Sequence, residues 1–278
     1  MTELATGTQV PAATNSSILF RGAVVLRHDT RPYSHSVMRA ELIMTVSPSN
    51  NATVVLVHGA WGDASGWRSV ISLLQKQGVS VVAVQNPTTS LSADVEATRY
   101  ALNEIDGPVV LAGHSWGGTV ITEAGDDPKV KALVFVAAFA PDAGQSTGDQ
   151  VAAHPAPPGL GEVSLDRGGS YVMSVNGWIN AVAQDLPEED ARILAATQPP
   201  LGAGTFSDKV TKAAWKDRKN WYVISSEDRA VSVELQRELA KKLNARTTEV
   251  KASHMSLISQ PEAVASAILE AASEATGL

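Results

Sequence analysis

The stretch Val109-Val110-Leu111-Ala112-Gly113-His114-Ser115-Trp116-Gly117-Gly118 decides how the rest of the chain is read. Residues 108–112 form an apolar run that suits a buried strand. Residues 116–124 carry the pattern of a helix. Between them lies a match to G-x-S-x-G, in the strand-turn-helix setting that gives the motif its meaning. A serine on so sharp a turn crowds the residues two before and two after it, and Gly113 and Gly117 stand at those places. Ser115 is therefore read as a catalytic nucleophile raised above the end of a strand. The plainer alternative is a glycine-rich turn with an incidental serine, and the flanking elements favour the nucleophile.

Working outward, residues 53–57 are a β-branched strand, 67–77 a helix closed by Gly78, 79–84 a strand, 91–103 a helix and 130–138 another strand. This alternation predicts an α/β fold with a mostly parallel central sheet and helices on both faces. It stops between Pro141 and about Lys209, where His154-Pro155-Ala156-Pro157-Pro158-Gly159 and Gly168-Gly169 interrupt any long element. Residues 141–209 read as a small lid insertion with helical patches at 178–184 and 188–196. Its expected place is the carboxyl edge of the sheet, where open α/β sheets hold ligands. A strand over 220–225, an amphipathic helix over 232–243, a short strand over 247–251 and a helix over 261–272 complete the domain, with Pro261 suited to a first helical turn. The catalytic domain is thus expected over 51–278. Residues 1–50 read as an amino-terminal extension, with a flexible leader over 1–17 and a pair of edge strands within 18–46.

Composition narrows the function. The chain has 22 basic and 29 acidic residues, a net charge of -7, without runs of one sign, which argues against a nucleic-acid partner. With no cysteine there is no disulfide, thiolate metal site or cysteine nucleophile. The amino terminus lacks the apolar core of a secretory leader. The longest strongly apolar stretch, 132–140, falls far short of the roughly 20 residues of a membrane helix. A soluble, cytoplasmic protein with no membrane partner is the expectation. No histidine-carboxylate cluster has metal spacing, residues 113–118 lack a phosphate loop's lysine, and no dinucleotide fingerprint occurs, so neither metal nor cofactor is expected.

A serine hydroxyl needs a base within hydrogen-bond reach. Of six histidines, His254 lies in the loop between the last strand and the last helix, at the carboxyl edge of the sheet, and is the expected base. His58 and His114 flank glycines of two turns and are expected to fix those loops by hydrogen bonds. The base needs an acceptor on its other nitrogen. Asp228, just past a strand end in Ser225-Ser226-Glu227-Asp228-Arg229, is the expected acid, with Glu227 the neighbouring alternative and Asp142 a more distant one. Donors for a developing oxyanion are expected from the backbone N–H of Trp116, at a helix start, and of Ala60 in His58-Gly59-Ala60-Trp61-Gly62. Trp61 is the alternative to Ala60. Trp61, Trp116 and Trp178 are candidates for the pocket wall, although large aromatics also fill cores.

With these residues in view, the chain resembles the α/β-hydrolase superfamily over roughly 51–278. His58-Gly59-Ala60-Trp61, the Ser115 turn and Ala138-Phe139-Ala140-Pro141-Asp142 together resemble bacterial carboxylesterases, some pyrethroid-hydrolysing, and plant methylesterases with hydroxynitrile lyases. The resemblance implies the α/β-hydrolase fold, a Ser115–Asp228–His254 triad, Ala60 and Trp116 as oxyanion-hole residues, an apolar pocket under a short lid and a small-molecule ester as substrate. It leaves the first fifty residues uncovered, and a start at Met38 or Met44 would be more typical of these relatives. Hydroxynitrile lyases of the group carry a lysine after the catalytic histidine, where Met255 stands here. That departure disfavours the carbon-carbon lyase alternative; a non-catalytic small-ligand receptor on the same fold is the other.

Overall fold

The computed structural model describes residues 52–276. Its first half runs β1 (Thr53–Val57), α1 (Arg68–Lys76), β2 (Val81–Val84), α2 (Leu91–Asn103), β3 (Val109–His114), α3 (Trp116–Ala124) and β4 (Val130–Val136). An excursion follows with α4 (Thr147–Ala152), β5 (Val163–Leu165), β6 (Tyr171–Met173), α5 (Val175–Gly177) and α6 (Glu188–Thr197). The chain then returns through β7 (Lys219–Ser225), α7 (Val233–Lys242), β8 (Arg246–Val250), α8 (Ser256–Ser259) and α9 (Pro261–Ala275). The strands order as β2-β1-β3-β4-β7-β8, every pair parallel.

The central strands are apolar over most of their length because both faces are covered. Successive side chains point to opposite faces. Val55, Leu111, Leu133 and Phe135 therefore share one layer with Val95 and Leu102 of α2 and Val120 and Ile121 of α3. Their sequence neighbours Val54, Val110 and Val134 share the other with Val70 and Leu74 of α1 and Val264 and Ile268 of α9. Full burial of each such side chain contributes roughly 1.5–3 kcal/mol. The helices start on local signals: Ser90 accepts the Ala93 N–H at α2, Ser232 accepts the Leu235 N–H at α7, and α9 opens with Pro261. Among the described residues, no helix is long and apolar enough to cross a membrane.

The excursion is richer than its Pro and Gly content suggests. A capping box of Ser146 and Asp149 starts α4. Strands β5 and β6 pair antiparallel, and Gly169 takes a φ of 82° in the turn between them. The helix expected over 178–184 is a π-helical turn, Trp178–Val182, while α6 lies where a helix was expected. The proposed leader and paired edge strands of the amino-terminal extension lie outside the described residues.

Candidate active site

Ser115 sits between β3 and α3 with φ 53° and ψ -121°, a backbone state that costs of order 1–3 kcal/mol unless its surroundings impose it. They do so by three hydrogen bonds. The Ser115 N–H donates to the Val136 carbonyl at 3.1 Å, and the Ser115 carbonyl accepts the N–H groups of Gly118 at 3.0 Å and Phe139 at 3.2 Å. The turn is so tight that a β-carbon at Gly113 would lie 2.5 Å from the Gly117 oxygen. One at Gly59 would lie 2.8 Å from the Ser115 β-carbon, so the loop after β1 is pressed against the serine.

His254 lies between β8 and α8 and is buried. Its Nδ1 is 2.7 Å from Oδ2 of Asp228, which follows β7. Nδ1 is thereby committed to the carboxylate, and Nε2 is the ring nitrogen that Asp228 does not engage; the side chains of His254 and Ser115 line one cavity. Asp228 is itself fixed. Its Oδ1 accepts the Ala230 and Val231 N–H groups at 2.8 and 2.9 Å, and its Oδ2 also accepts the Gln236 side-chain amide at 2.8 Å. The alternatives to Asp228 are engaged elsewhere. Glu227 lies 3.6 Å from Lys251 at the surface, and Asp142 pairs with Lys216 at 2.9 Å and Lys242 at 2.6 Å.

The two other central histidines hold loops, as expected. His114 Nε2 donates to the His254 carbonyl at 2.9 Å, its ring 4.6 Å from that of His254. Burial, reinforced by the neighbouring His254, pushes the His114 pKa well below its ordinary value. The Asn86 N–H donates to His58 Nε2 at 2.9 Å, which places the His58 proton on Nδ1, where it meets the Gly59 carbonyl at 2.9 Å. Burial lowers the His58 pKa as well, so its imidazole anchors the Gly59-Ala60 loop in neutral form.

Above Ser115 opens a cavity of about 390 Å³, within the range of small-molecule sites. Ala60, Trp61, Trp116 and Trp178 all line it, joined by Phe139 and Met173. The Trp61 indole N–H donates to the Tyr171 carbonyl at 2.9 Å, tying the loop after β1 to β6. Trp178 is almost wholly buried. Asp63, a carboxylate on the lining, is occupied as a helix cap, accepting the Ser65 N–H at 2.7 Å. Among the described residues, no group of three His, Cys, Asp or Glu side chains is placed to hold a metal. Sequence reasoning missed Gln236, Asp94, whose Oδ2 accepts the Trp116 indole N–H at 2.8 Å, and Phe206 on the cavity wall. The first two are polar residues on the inward stripe of an amphipathic helix, and that is the signal by which they could have been found.

A parallel sheet with a strained serine turn at a strand's carboxyl end, beside a histidine-carboxylate pair, defines a class of enzyme fold rather than a single activity. The chain belongs to the Alpha/beta hydrolase family, whose model matches residues 54–267. Methylesterase 7 of Arabidopsis thaliana is 28% identical over 261 residues, covering 81% of this chain and 97% of the relative. Alpha-hydroxynitrile lyase of the same plant is 26% identical over 240 residues, covering 75% and 92%. Among solved structures, a pyrethroid hydrolase from Sphingobium faniae JZ-2 superposes with a TM-score of 0.69 at 20% identity, covering 80% of this chain and 97% of that one. The α/β-hydrolase fold expected from the Ser115 turn is the fold of this chain.

Proposed function

We propose that the chain is a serine hydrolase of carboxylic esters, acting on small, largely apolar substrates through an acyl-enzyme on Ser115. The observation that carries the reading is the placement of Ser115, on a strained turn, in the same apolar cavity as a histidine whose Nδ1 is held by Asp228. His254 Nε2 takes the Ser115 proton as Oγ attacks the ester carbonyl. The resulting imidazolium is stabilised by Asp228 and then protonates the departing alcohol. Water, deprotonated by the same nitrogen, attacks the acyl-enzyme and frees Ser115 and the acid.

The Trp116 N–H opens α3, where a helix leaves its first N–H groups unpaired and its dipole favours negative charge. With the Ala60 N–H, from the loop pressed on Ser115, it would receive the oxyanion. Neutral, apolar esters match a wall made largely of tryptophans, Phe139 and Met173. Similarity to a methylesterase supports the ester, and similarity to a hydroxynitrile lyase keeps carbon-carbon cleavage as the alternative. Met255 argues against that alternative by putting a buried thioether on the cavity lining, where lyases of this group carry an ammonium. Turnover of a short p-nitrophenyl ester that disappears in Ser115→Ala, with no cleavage of cyanohydrins, is the expected outcome. Cyanohydrin cleavage without ester hydrolysis would establish the lyase, and neither activity would leave a binding protein.

A further inference from the structure

Asp94, in the first turn of α2, is a completely buried carboxylate that the mechanism above does not use. The donors that reach its side chain are two N–H groups rather than a lysine or arginine: Thr88 N–H on Oδ1 at 2.7 Å and the Trp116 indole on Oδ2 at 2.8 Å. An ionised carboxylate offers acceptors alone on both sides, whereas an asparagine would turn its own NH₂ toward one of these donors. The first turn of a helix favours negative charge, which offsets part of the desolvation.

Both donors lead to the site. The backbone N–H of Trp116 is the proposed oxyanion donor, and its ring meets Phe206 edge-on with centroids 6.3 Å apart. Phe206 in turn meets Trp61, next to Ala60, at 6.2 Å. On the other side, Thr88 is held at a φ of 57°. Its hydroxyl donates to the Pro200 carbonyl at 2.9 Å, and its carbonyl accepts the Gly202 N–H at 2.7 Å. The Leu91 N–H, at the first residue of α2, donates to Asp208 at 2.9 Å. Residues 200–208, the limb that carries Phe206, are thus seated on the start of α2.

We propose that Asp94 is a positioning residue for the oxyanion side of the site, fixing the Trp116 indole with one oxygen and, through Thr88, the Phe206 limb with the other. The proposal rests on the esterase reading. Its function is to hold the start of α3 and the aromatic wall in one register, so that the Trp116 N–H meets the carbonyl oxygen as it becomes an oxyanion. Loss of that register lowers the chemical step more than substrate binding.

The test is a double-mutant cycle of Asp94→Asn and Trp116→Phe, read as kcat and KM for a short p-nitrophenyl ester. Asp94→Asn is expected to lower kcat about tenfold with KM changed less than about twofold. In the Trp116→Phe background the indole donor is gone while the asparagine oxygen still accepts the Thr88 N–H, so Asp94→Asn should cost less than about twofold more. If Asp94→Asn does not fold, Trp116→Phe removes the same contact from the other side and should itself lower kcat several-fold. A kcat unchanged in both single variants, or effects that multiply independently in the double variant, would overturn the proposal while the wild type still hydrolyses ester. A wild type with no ester turnover would instead remove the esterase reading, and this proposal with it.

Discussion

Gln236 of α7 offers a pH-dependent test of how the acid is held. Its Nε2–H donates to Asp228 Oδ2 at 2.8 Å, and its Oε1 accepts the Ser225 N–H at 3.0 Å. Gln236→Glu keeps an acceptor for Ser225 but turns a second carboxylate oxygen toward Asp228. Two ionised carboxylates at that separation would repel by about 6 kcal/mol at an effective dielectric of 20. One pKa unit corresponds to about 1.36 kcal/mol, so the introduced carboxyl group keeps its proton into the neutral range. With that proton, the introduced carboxyl group donates to Asp228 as the amide did. Its folded pKa then lies above the unfolded value of about 4.3, and the folded state binds more protons than the unfolded chain. The stability of this variant is therefore present at acidic pH and is lost as pH rises through the titration of the introduced group. Thermal melts from pH 5 to 9 should bring the variant near wild type at the acid end. By pH 9 it should fall several degrees behind, at about 2–4 °C per kcal/mol. Ester hydrolysis relative to wild type should decline over the same range as Asp228 loses its alignment. A variant-to-wild-type ratio that stays flat, or rises with pH, would refute the reasoning.

Gly113→Ala drives a β-carbon to 2.5 Å from the Gly117 oxygen and 2.8 Å from the Gly118 nitrogen, both backbone atoms. Ester hydrolysis should fall by at least about 100-fold, and an active variant would contradict the turn geometry. His58 and His114 are kept neutral by burial in the fold but take up protons near pH 6.5 when unfolded, so their contribution is lost as pH falls below about 6.5. Melting temperatures should drop between pH 7 and 5.5, less steeply in His114→Gln, and an equal slope would contradict the assignment. Phe206→Ala removes the ring packed among Trp61, Trp116 and Tyr171. Longer p-nitrophenyl acyl esters should gain several-fold in kcat/KM over the acetate, and an unchanged chain-length profile would show that Phe206 does not bound the space the acyl chain enters.

The sheet was legible because its central strands β1, β3, β4 and β7 are largely buried on both faces and helices such as α1 and α7 carry one apolar stripe. The helices expected at 91–103 and 116–124 match α2 and α3 residue for residue. The stretch after β4 was less legible for a physical reason. Strands β5 and β6 have three residues each, and α5 has three before the chain passes into a π-helical turn, too few for any periodicity. Their positions are set by contacts far along the chain, such as Trp61 with Tyr171 and Asp185 with the backbone of Ser253. In the site, the places of His254 and Asp228 after strands put both at the carboxyl edge of the sheet, where the two side chains pair. Gln236 and Asp94 could not be assigned partners, because which carboxylate or indole they meet depends on how two helices pack against one sheet.

The central claim is that Ser115 is the nucleophile, and peptide mapping after treatment with a fluorophosphonate tests it most directly. One adduct is expected, on Ser115, formed rapidly in wild type and slowed by orders of magnitude in His254→Ala, because the base that activates the hydroxyl is gone. Adducts scattered over surface serines or tyrosines, or labelling of Ser115 at the same rate with and without His254, would contradict it.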